Sequence, residues 1–139
     1  MTPTLPEILQ GNFMALAAPV TPEMAGDFMA ARVGVIAMLN LLCAQEAERG
    51  TSAAILESRA IAALLVGATG YGIAVPAPVD DLVPAAIDAH NASMRRSLIA
   101  LHEAAEDCGD ADLDARILAL YAAMAEGRKL SLPQLPAAA

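Results

Sequence analysis

The stretch that decides the fold is Leu64–Val79, "LLVGATGYGIAVPAPV", which contains no charged residue. With the uncharged residues 60–63 before it, the run reaches the roughly 20 residues that a membrane-spanning helix needs. Three glycines and two prolines interrupt any helix beyond Thr69, however, and backbone without internal hydrogen bonds cannot face lipid. Asp80 and Asp81 follow, where a membrane span would favour Lys or Arg. We therefore predict a helix that ends in glycine turns, followed by an extended apolar connection laid across a helical bundle.

The composition favours helices throughout. The 139 residues are 57% hydrophobic but only 3% aromatic, and 33 of them are alanine. Alanine is the strongest helix former, whereas strands are enriched in aromatic and β-branched residues. A chain of this length fits one domain. We expect a single all-α domain, residues 1–139, built as a bundle of four main helices plus a short N-terminal helix, with residues 130–139 as a Pro/Ala-rich C-terminal tail.

Capping residues and hydrophobic spacing predict where these helices lie. The short helix covers residues 4–18, and the second begins at the cap Thr21 and ends at Arg49, with Gly50 as its stop. The third helix covers 51–67, the fourth 80–109 and the fifth 110–127. In the fourth, residues seven apart predict an inward seam: Ile87, Met94, Leu101 and Cys108, with Asn91, Leu98 and Ala105 beside them. In the fifth, Leu113, Ile117, Leu120 and Met124 face inward.

The charge balance excludes two classes of partner. The net charge is −8, and the only adjacent basic pairs are Arg95-Arg96 and Arg128-Lys129, neither with an aromatic neighbour. Nucleic-acid and anionic membrane binding both need clustered Lys and Arg. Cys43 and Cys108 lack metal-ligand spacing and are expected to be buried small hydrophobes. The N-terminus lacks the pattern of a signal peptide, which favours a cytoplasmic protein.

No arrangement of residues predicts a metal, a cofactor or a catalytic centre. Asp110, Asp112 and Asp114 match the first ligand positions of a calcium-binding loop, but the later glycine and glutamate are missing. We interpret these aspartates as caps of the last helix, with weak binding of a divalent cation left open. His90 flanks the seam and His102 leans outward beside Glu103 and Glu106. Because they are twelve residues apart on one helix, the two histidines are about 18 Å apart and cannot share a metal within one subunit unless the helix breaks.

The second helix is apolar on nearly all sides. Phe28, Val35, Leu39 and Leu42 are taken to define its inward direction. This excess of apolar surface favours a homodimer. Arg32 and Asn40 lie among apolar neighbours on the same helix.

Three alternatives are open for Arg32. Its head reaches water while its stem is buried, or it binds an anion, or it pairs with a carboxylate: Asp88, Glu57 or Glu7.

Three functions follow, in order. The first is a non-catalytic interaction or scaffold protein acting as a homodimer. The alternative is a bundle that binds a small anionic or acyl ligand, with Arg32, Asn40 and His90 as the binding residues. The third is an enzyme of unknown chemistry, for which the sequence offers no recognisable nucleophile.

Overall fold

The fold is all-α, as the composition predicts. The computed structural model describes residues 4–17 and 27–132. Its α-helices are α1 (Leu5–Leu16), α2 (Asp27–Gly67), α3 (Pro84–Cys108) and α4 (Ala111–Gly127), with a 3₁₀ turn at Thr69–Tyr71. No strand occurs in these two ranges. The predicted cap Thr21, the side chain of Phe28 and most of the C-terminal tail lie outside the described residues.

Contacts within the chain define two compact units. Unit 1 comprises Met1–Gly50 and Leu130–Ala139, and unit 2 comprises Thr51–Lys129. Helix α2 contributes its first part to unit 1 and its last part to unit 2. A single-domain organisation stays a prediction.

The predicted break at Gly50 is wrong, because α2 continues through this residue to Gly67. A glycine ends a helix by adopting a left-handed conformation. Among the described glycines, only Gly72 and Gly109 have positive φ. Gly50 therefore behaves as an ordinary helical residue, which costs about 1 kcal/mol relative to alanine but does not stop the helix. The second and third predicted helices are one.

The core of unit 2 is formed by the last part of α2 together with α3 and α4. The seam predicted on α3 is confirmed except at its end, since Cys108 is exposed where the helix stops. Leu120 and Met124 pack at the border of this core. The buried members are Ile61, Leu64, Leu65, Ala68, Met94, Leu98, Leu101, Ala105, Leu113 and Ile117.

A tight turn joins α3 to α4. Gly109 takes the left-handed conformation, with φ of 67°, and its amide donates to Glu106 O at 3.0 Å. The amide of Asp110 donates to Ala105 O, also at 3.0 Å. The Asp110 carboxylate then caps α4 by accepting a hydrogen bond from the Leu113 amide at 3.0 Å. The interpretation of this aspartate as a helix cap is confirmed.

The connection between Gly72 and Val83 has no regular secondary structure and is anchored to the helices of unit 2. Ile73 packs against the core, and Ser97 Oγ on α3 donates to Ala74 O at 3.2 Å. At the far end, Asp81 Oδ1 accepts from the Val83 amide at 2.9 Å, just before Pro84 opens α3. The uncharged stretch therefore ends as the extended connection that its glycines and prolines predict.

Replacing Gly109 with alanine tests the turn. The left-handed conformation costs an L-residue about 1–2 kcal/mol, so Gly109→Ala is expected to lower the free energy of unfolding by about that amount. Gly127→Ala is the matched control, because Gly127 is helical and an added Cβ meets nothing within 4 Å. Helix propensity predicts that the control is neutral or stabilising. Equal effects of the two substitutions in chemical denaturation would contradict this account.

Candidate functional site

Helix α2 exposes an apolar stripe in unit 1, formed by Val35, Ile36 and Leu39. Their exposed fractions are 61%, 49% and 54%. The inward direction predicted for this helix is therefore wrong at Val35 and Leu39. Among residues 31–50, whose side chains the structure describes, the buried ones are Ala37 and Ala44, which are 1% and 5% exposed. At 100° per residue, Ala44 lies about 180° from Val35 around the helix.

The chain at Ser131 is bound to this part of α2 through the side chain of Gln45, by a reciprocal pair of hydrogen bonds. Gln45 Nε2 donates to Ser131 O at 2.7 Å, and the Ser131 amide donates to Gln45 Oε1 at 2.8 Å. Of the large apolar residues in this part of α2, three are exposed and four are half-buried. The exposed ones are Val35, Ile36 and Leu39, and the half-buried ones are Val33, Met38, Leu41 and Leu42.

Two residues predicted for a ligand site lie along this part of α2. Arg32 is exposed, and Asn40 is half-buried with its Nδ2 donating to Ile36 O at 2.9 Å. The Asn40 amide is thus satisfied by its own helix. Cys43 is also exposed here, so the prediction that both cysteines are buried is wrong. Apolar neighbours in the sequence therefore did not predict burial here. When apolar residues surround a helix, they do not indicate which of its sides faces the core.

An open cavity of about 390 Å³ lies in unit 2, between the last part of α2, the 72–83 connection and α3. Most of its wall is apolar. The principal apolar side chains are Ile55, Val75, Pro76, Val79, Ile87 and Met94. His90, the third predicted ligand-binding residue, lines this cavity. Arg32 and Asn40 belong to unit 1 and are not among the residues that line it.

Three polar residues reach the cavity wall. Ser58 is already satisfied, since its Oγ donates to Ala54 O at 2.8 Å and accepts from Asn91 Nδ2 at 3.2 Å. Arg59 and His90 form no hydrogen bond or ion pair with any residue that the structure describes. Arg59 could not be predicted as a cavity residue from the sequence, because only the fold places it beside the connection.

A carboxylate is buried in unit 2 between two arginines. Glu57 on α2 is 7% exposed. Arg95 Nη2 on α3 donates to Glu57 Oε2 at 2.6 Å. Arg128, at the end of α4, makes a bidentate contact through Nε to Oε1 and through Nη2 to Oε2, the latter at 3.0 Å. Asn91 Nδ2 donates to Glu57 Oε2 at 3.2 Å. We call these four residues the Glu57 cluster.

The electrostatics of the Glu57 cluster favour the ionised carboxylate. Burial opposes ionisation, but hydrogen bonds from Arg128, Arg95 and Asn91 outweigh it and hold the pKa of Glu57 below its ordinary value. One arginine comes from each basic pair in the sequence. Glu57 was a predicted partner of Arg32, and the structure gives it these arginines.

The other two predicted partners of Arg32 are exposed. Glu7 accepts from the Thr4 amide at 2.7 Å, which lowers the pKa of Glu7. Asp88 lies on the outer side of α3.

Two of the aspartates considered as calcium ligands, Asp110 and Asp114, contact different side chains of the protein. Tyr71 donates its hydroxyl to Asp110 Oδ2 at 2.6 Å, and this bond raises the pKa of Tyr71 to about 12 and lowers the pKa of Asp110. His102 Nε2 lies 2.9 Å from Asp114 Oδ1 and 3.8 Å from Glu106 Oε1.

The ligand atoms of His102, Glu106 and Asp114 lie within 4.8 Å of one another. Such groups are common on protein surfaces without a metal, and the His102–Asp114 contact accounts for the arrangement. This contact joins residues of two helices, α3 and α4, so the spacing of residues along one helix does not predict it.

Within the described residues, one helix is long and apolar enough to cross a membrane. It covers Ala31–Gly67, with a mean hydropathy of 1.2 over its most apolar window, 33% of which is buried. The core helix of a soluble protein can be equally long and apolar, so length and hydropathy do not distinguish a membrane span from a soluble helix here.

Comparison of the chain with protein-family models, curated proteins and solved structures yields no match. The function is therefore inferred from the geometry of the described residues alone.

Replacing Glu57 with glutamine tests the Glu57 cluster. Since the folded-state pKa is lowered, the carboxylate contributes its full stabilisation above its ordinary pKa of 4.5 and loses it as pH falls through the folded value. Glu57→Gln is expected to lower the free energy of unfolding at pH 7 by about 2 kcal/mol, less than for a fully buried pair because both arginines are partly exposed. The difference between the variant and the parent protein should shrink as the pH falls below 4.5 and through the lowered folded-state pKa of Glu57.

Glu126→Gln is the matched control for this experiment. Glu126 forms an exposed pair with Lys129 at 3.4 Å, and exposed pairs contribute about 0–1 kcal/mol. Denaturant unfolding followed by circular dichroism at several pH values measures both variants. Parallel pH profiles for the parent protein and Glu57→Gln would show that Glu57 is not the titrating group.

Proposed function

We propose that this protein is a soluble, cytoplasmic, non-catalytic interaction protein that assembles as a homodimer through the apolar stripe of α2. The observation that carries the proposal is the exposure of Val35, Ile36 and Leu39 on one side of a long helix. Soluble proteins rarely leave contiguous large apolar side chains uncovered, and such patches mark interaction surfaces.

The charges at the two ends of the stripe favour a second copy of the chain as the partner. Arg32, Leu39 and Glu46 are spaced by seven residues and so lie close to one line along the helix. Arg32 and Glu46 are both exposed. When two copies of α2 pack antiparallel about Leu39, each Arg32 faces the Glu46 of the other copy. A two-fold interface needs this kind of self-complementary surface.

The parallel arrangement is disfavoured by the same charges. It places Arg32 beside Arg32 and Glu46 beside Glu46, so that like charges meet at both ends. A guanidinium has five N–H donors, so Arg32 can contact a partner's carboxylate and keep a contact within its own chain. The antiparallel pair also brings Leu39 against Leu39. Complete burial of an exposed leucine contributes about 1.5–3 kcal/mol, and Leu39, which is 54% exposed, can gain about half of this.

A soluble location is supported by the charges along α2. The helix carries Glu46, Glu48 and Arg49 near its middle and Glu57 and Arg59 in its last part. Charged residues at the centre of a membrane span are costly and rare. Glu57 is neutralised by Arg95 and Arg128 from elsewhere in unit 2, which is how a water-soluble protein accommodates a buried carboxylate.

Replacing Leu39 with glutamate is expected to convert the dimer to a monomer, because two buried carboxylates would meet at the centre of the interface. Leu56→Glu is the control, since Leu56 is 62% exposed on the same helix but belongs to unit 2. Light scattering coupled to size-exclusion chromatography at micromolar concentration measures the mass. The parent protein and Leu56→Glu should have about twice the monomer mass, and the circular dichroism of all three should be equally helical.

Charge reversal distinguishes the two orientations. Arg32→Glu alone and Glu46→Arg alone should each weaken the dimer, and the double variant should restore it if α2 packs antiparallel. A parent protein that stays monomeric at high concentration contradicts the proposal. Recovery of the protein only from detergent-extracted membranes also contradicts it.

A further inference from the structure

We infer that the cavity in unit 2 binds a small molecule with an apolar body and a single carboxylate, held by Arg59 and His90. This inference is independent of the proposed homodimer, since every residue that lines the cavity lies in unit 2. It also differs from the site expected from sequence, because the cation is Arg59 and not Arg32.

The charges at the cavity wall select an anion. The protein carries a net charge of −8, yet no acidic residue is among those that line this cavity. Arg59 supplies a permanent positive charge, and it has no ion pair with any described residue. His90 adds a ring N–H donor in either neutral tautomer. A local positive charge on an acidic protein suits a ligand with one negative charge better than a polyphosphate, which the remaining charges repel.

The rest of the wall selects an apolar body. A volume of about 390 Å³ lies near the lower end of the range for small-molecule sites, which are mostly apolar with a few polar groups that orient the ligand. Ser58, the remaining polar residue, is occupied by Ala54 O and Asn91. A ligand therefore meets donors at Arg59 and His90 and apolar side chains elsewhere.

The wall is held in place before a ligand arrives. Pro76 and Pro78 each fix one backbone dihedral of the connection, so its extended shape costs little entropy. The connection is also bonded at its start by the Ser97–Ala74 contact and at its end by the turn at Asp81. A preformed wall reduces the ordering that binding requires.

Titration with octanoate, octanol and octylamine tests the inference, because these probes share one chain and differ in their head group. Isothermal titration calorimetry at pH 7 is expected to give the tightest binding for octanoate. Arg59→Gln should weaken octanoate binding about tenfold or more through the lost charge-assisted contact and leave octanol unchanged. Arg96→Gln is the matched control, since Arg96 is exposed on α3 and does not line the cavity.

The location of binding is checked by the methyl resonances of Val75, Val79 and Met94, which should shift on addition of octanoate in the parent protein. Three outcomes would overturn the inference: equal octanoate affinity in the parent protein and Arg59→Gln, tighter binding of octylamine than of octanoate, or no octanoate binding at millimolar concentration. Because none of these measurements depends on the mass of the protein, a failed dimer and a failed ligand site are told apart.

Discussion

The ionised Glu57 between Arg95 and Arg128 is the interaction on which unit 2 depends. A carboxylate taken out of water costs several kcal/mol unless opposite charges and hydrogen bonds replace its hydration. The three side chains come from the last part of α2, from α3 and from the end of α4, so satisfying one charge sets the position of three helices at once. Apolar packing tolerates small sliding between helices, whereas the bidentate contact of Arg128 with Glu57 does not.

The two candidate surfaces follow from how the apolar residues are shared between the units. In unit 2, three helical segments share a core whose largest fully buried side chains are Ile61, Leu65, Leu98, Leu101 and Ile117. The proline-containing connection forms part of the wall of a cavity that Arg59 and His90 also line. In unit 1, the buried residues among positions 31–50 of α2 are Ala37 and Ala44, whereas the larger Val35 and Leu39 are exposed. Unit 2 thus has an open cavity with a mostly apolar wall, and unit 1 has an exposed apolar stripe.

The sequence predicted the features that local spacing encodes. The α3 seam repeats every seven residues, and a helix with one apolar side has only one way to face its core. The cap at Asp110 and the glycine turn before it are equally local. The first part of α2 lacks such a pattern, because apolar residues occur on nearly all of its sides. The predicted inward direction of this helix was therefore wrong at Val35 and Leu39. The continuation of α2 through Gly50 was not predicted for a related reason. A glycine can adopt either a helical or a left-handed conformation, and the sequence around Gly50 does not indicate which one it takes.

The contacts that build the candidate site are those that spacing cannot encode. Glu57 and Arg128 are 71 positions apart, and the sequence near either residue does not indicate that the other is its partner. The same holds for Arg59 beside the connection and for His102 with Asp114. Such pairs exist only after the helices have docked.

The turn at Gly109 bears on the order in which the protein folds. It joins α3 to α4 with almost no intervening chain, so the two helices meet at a small cost in loop-closure entropy. Contacts of this local kind form early in helical proteins. The pairing of Glu57 with Arg128 closes a far longer loop, and it stabilises unit 2 only after α2 has packed against the other two helices. Folding of unit 2 is thus expected to begin with the α3–α4 hairpin. The ion pairs of the buried Glu57 are expected to form late and not to belong to the folding nucleus.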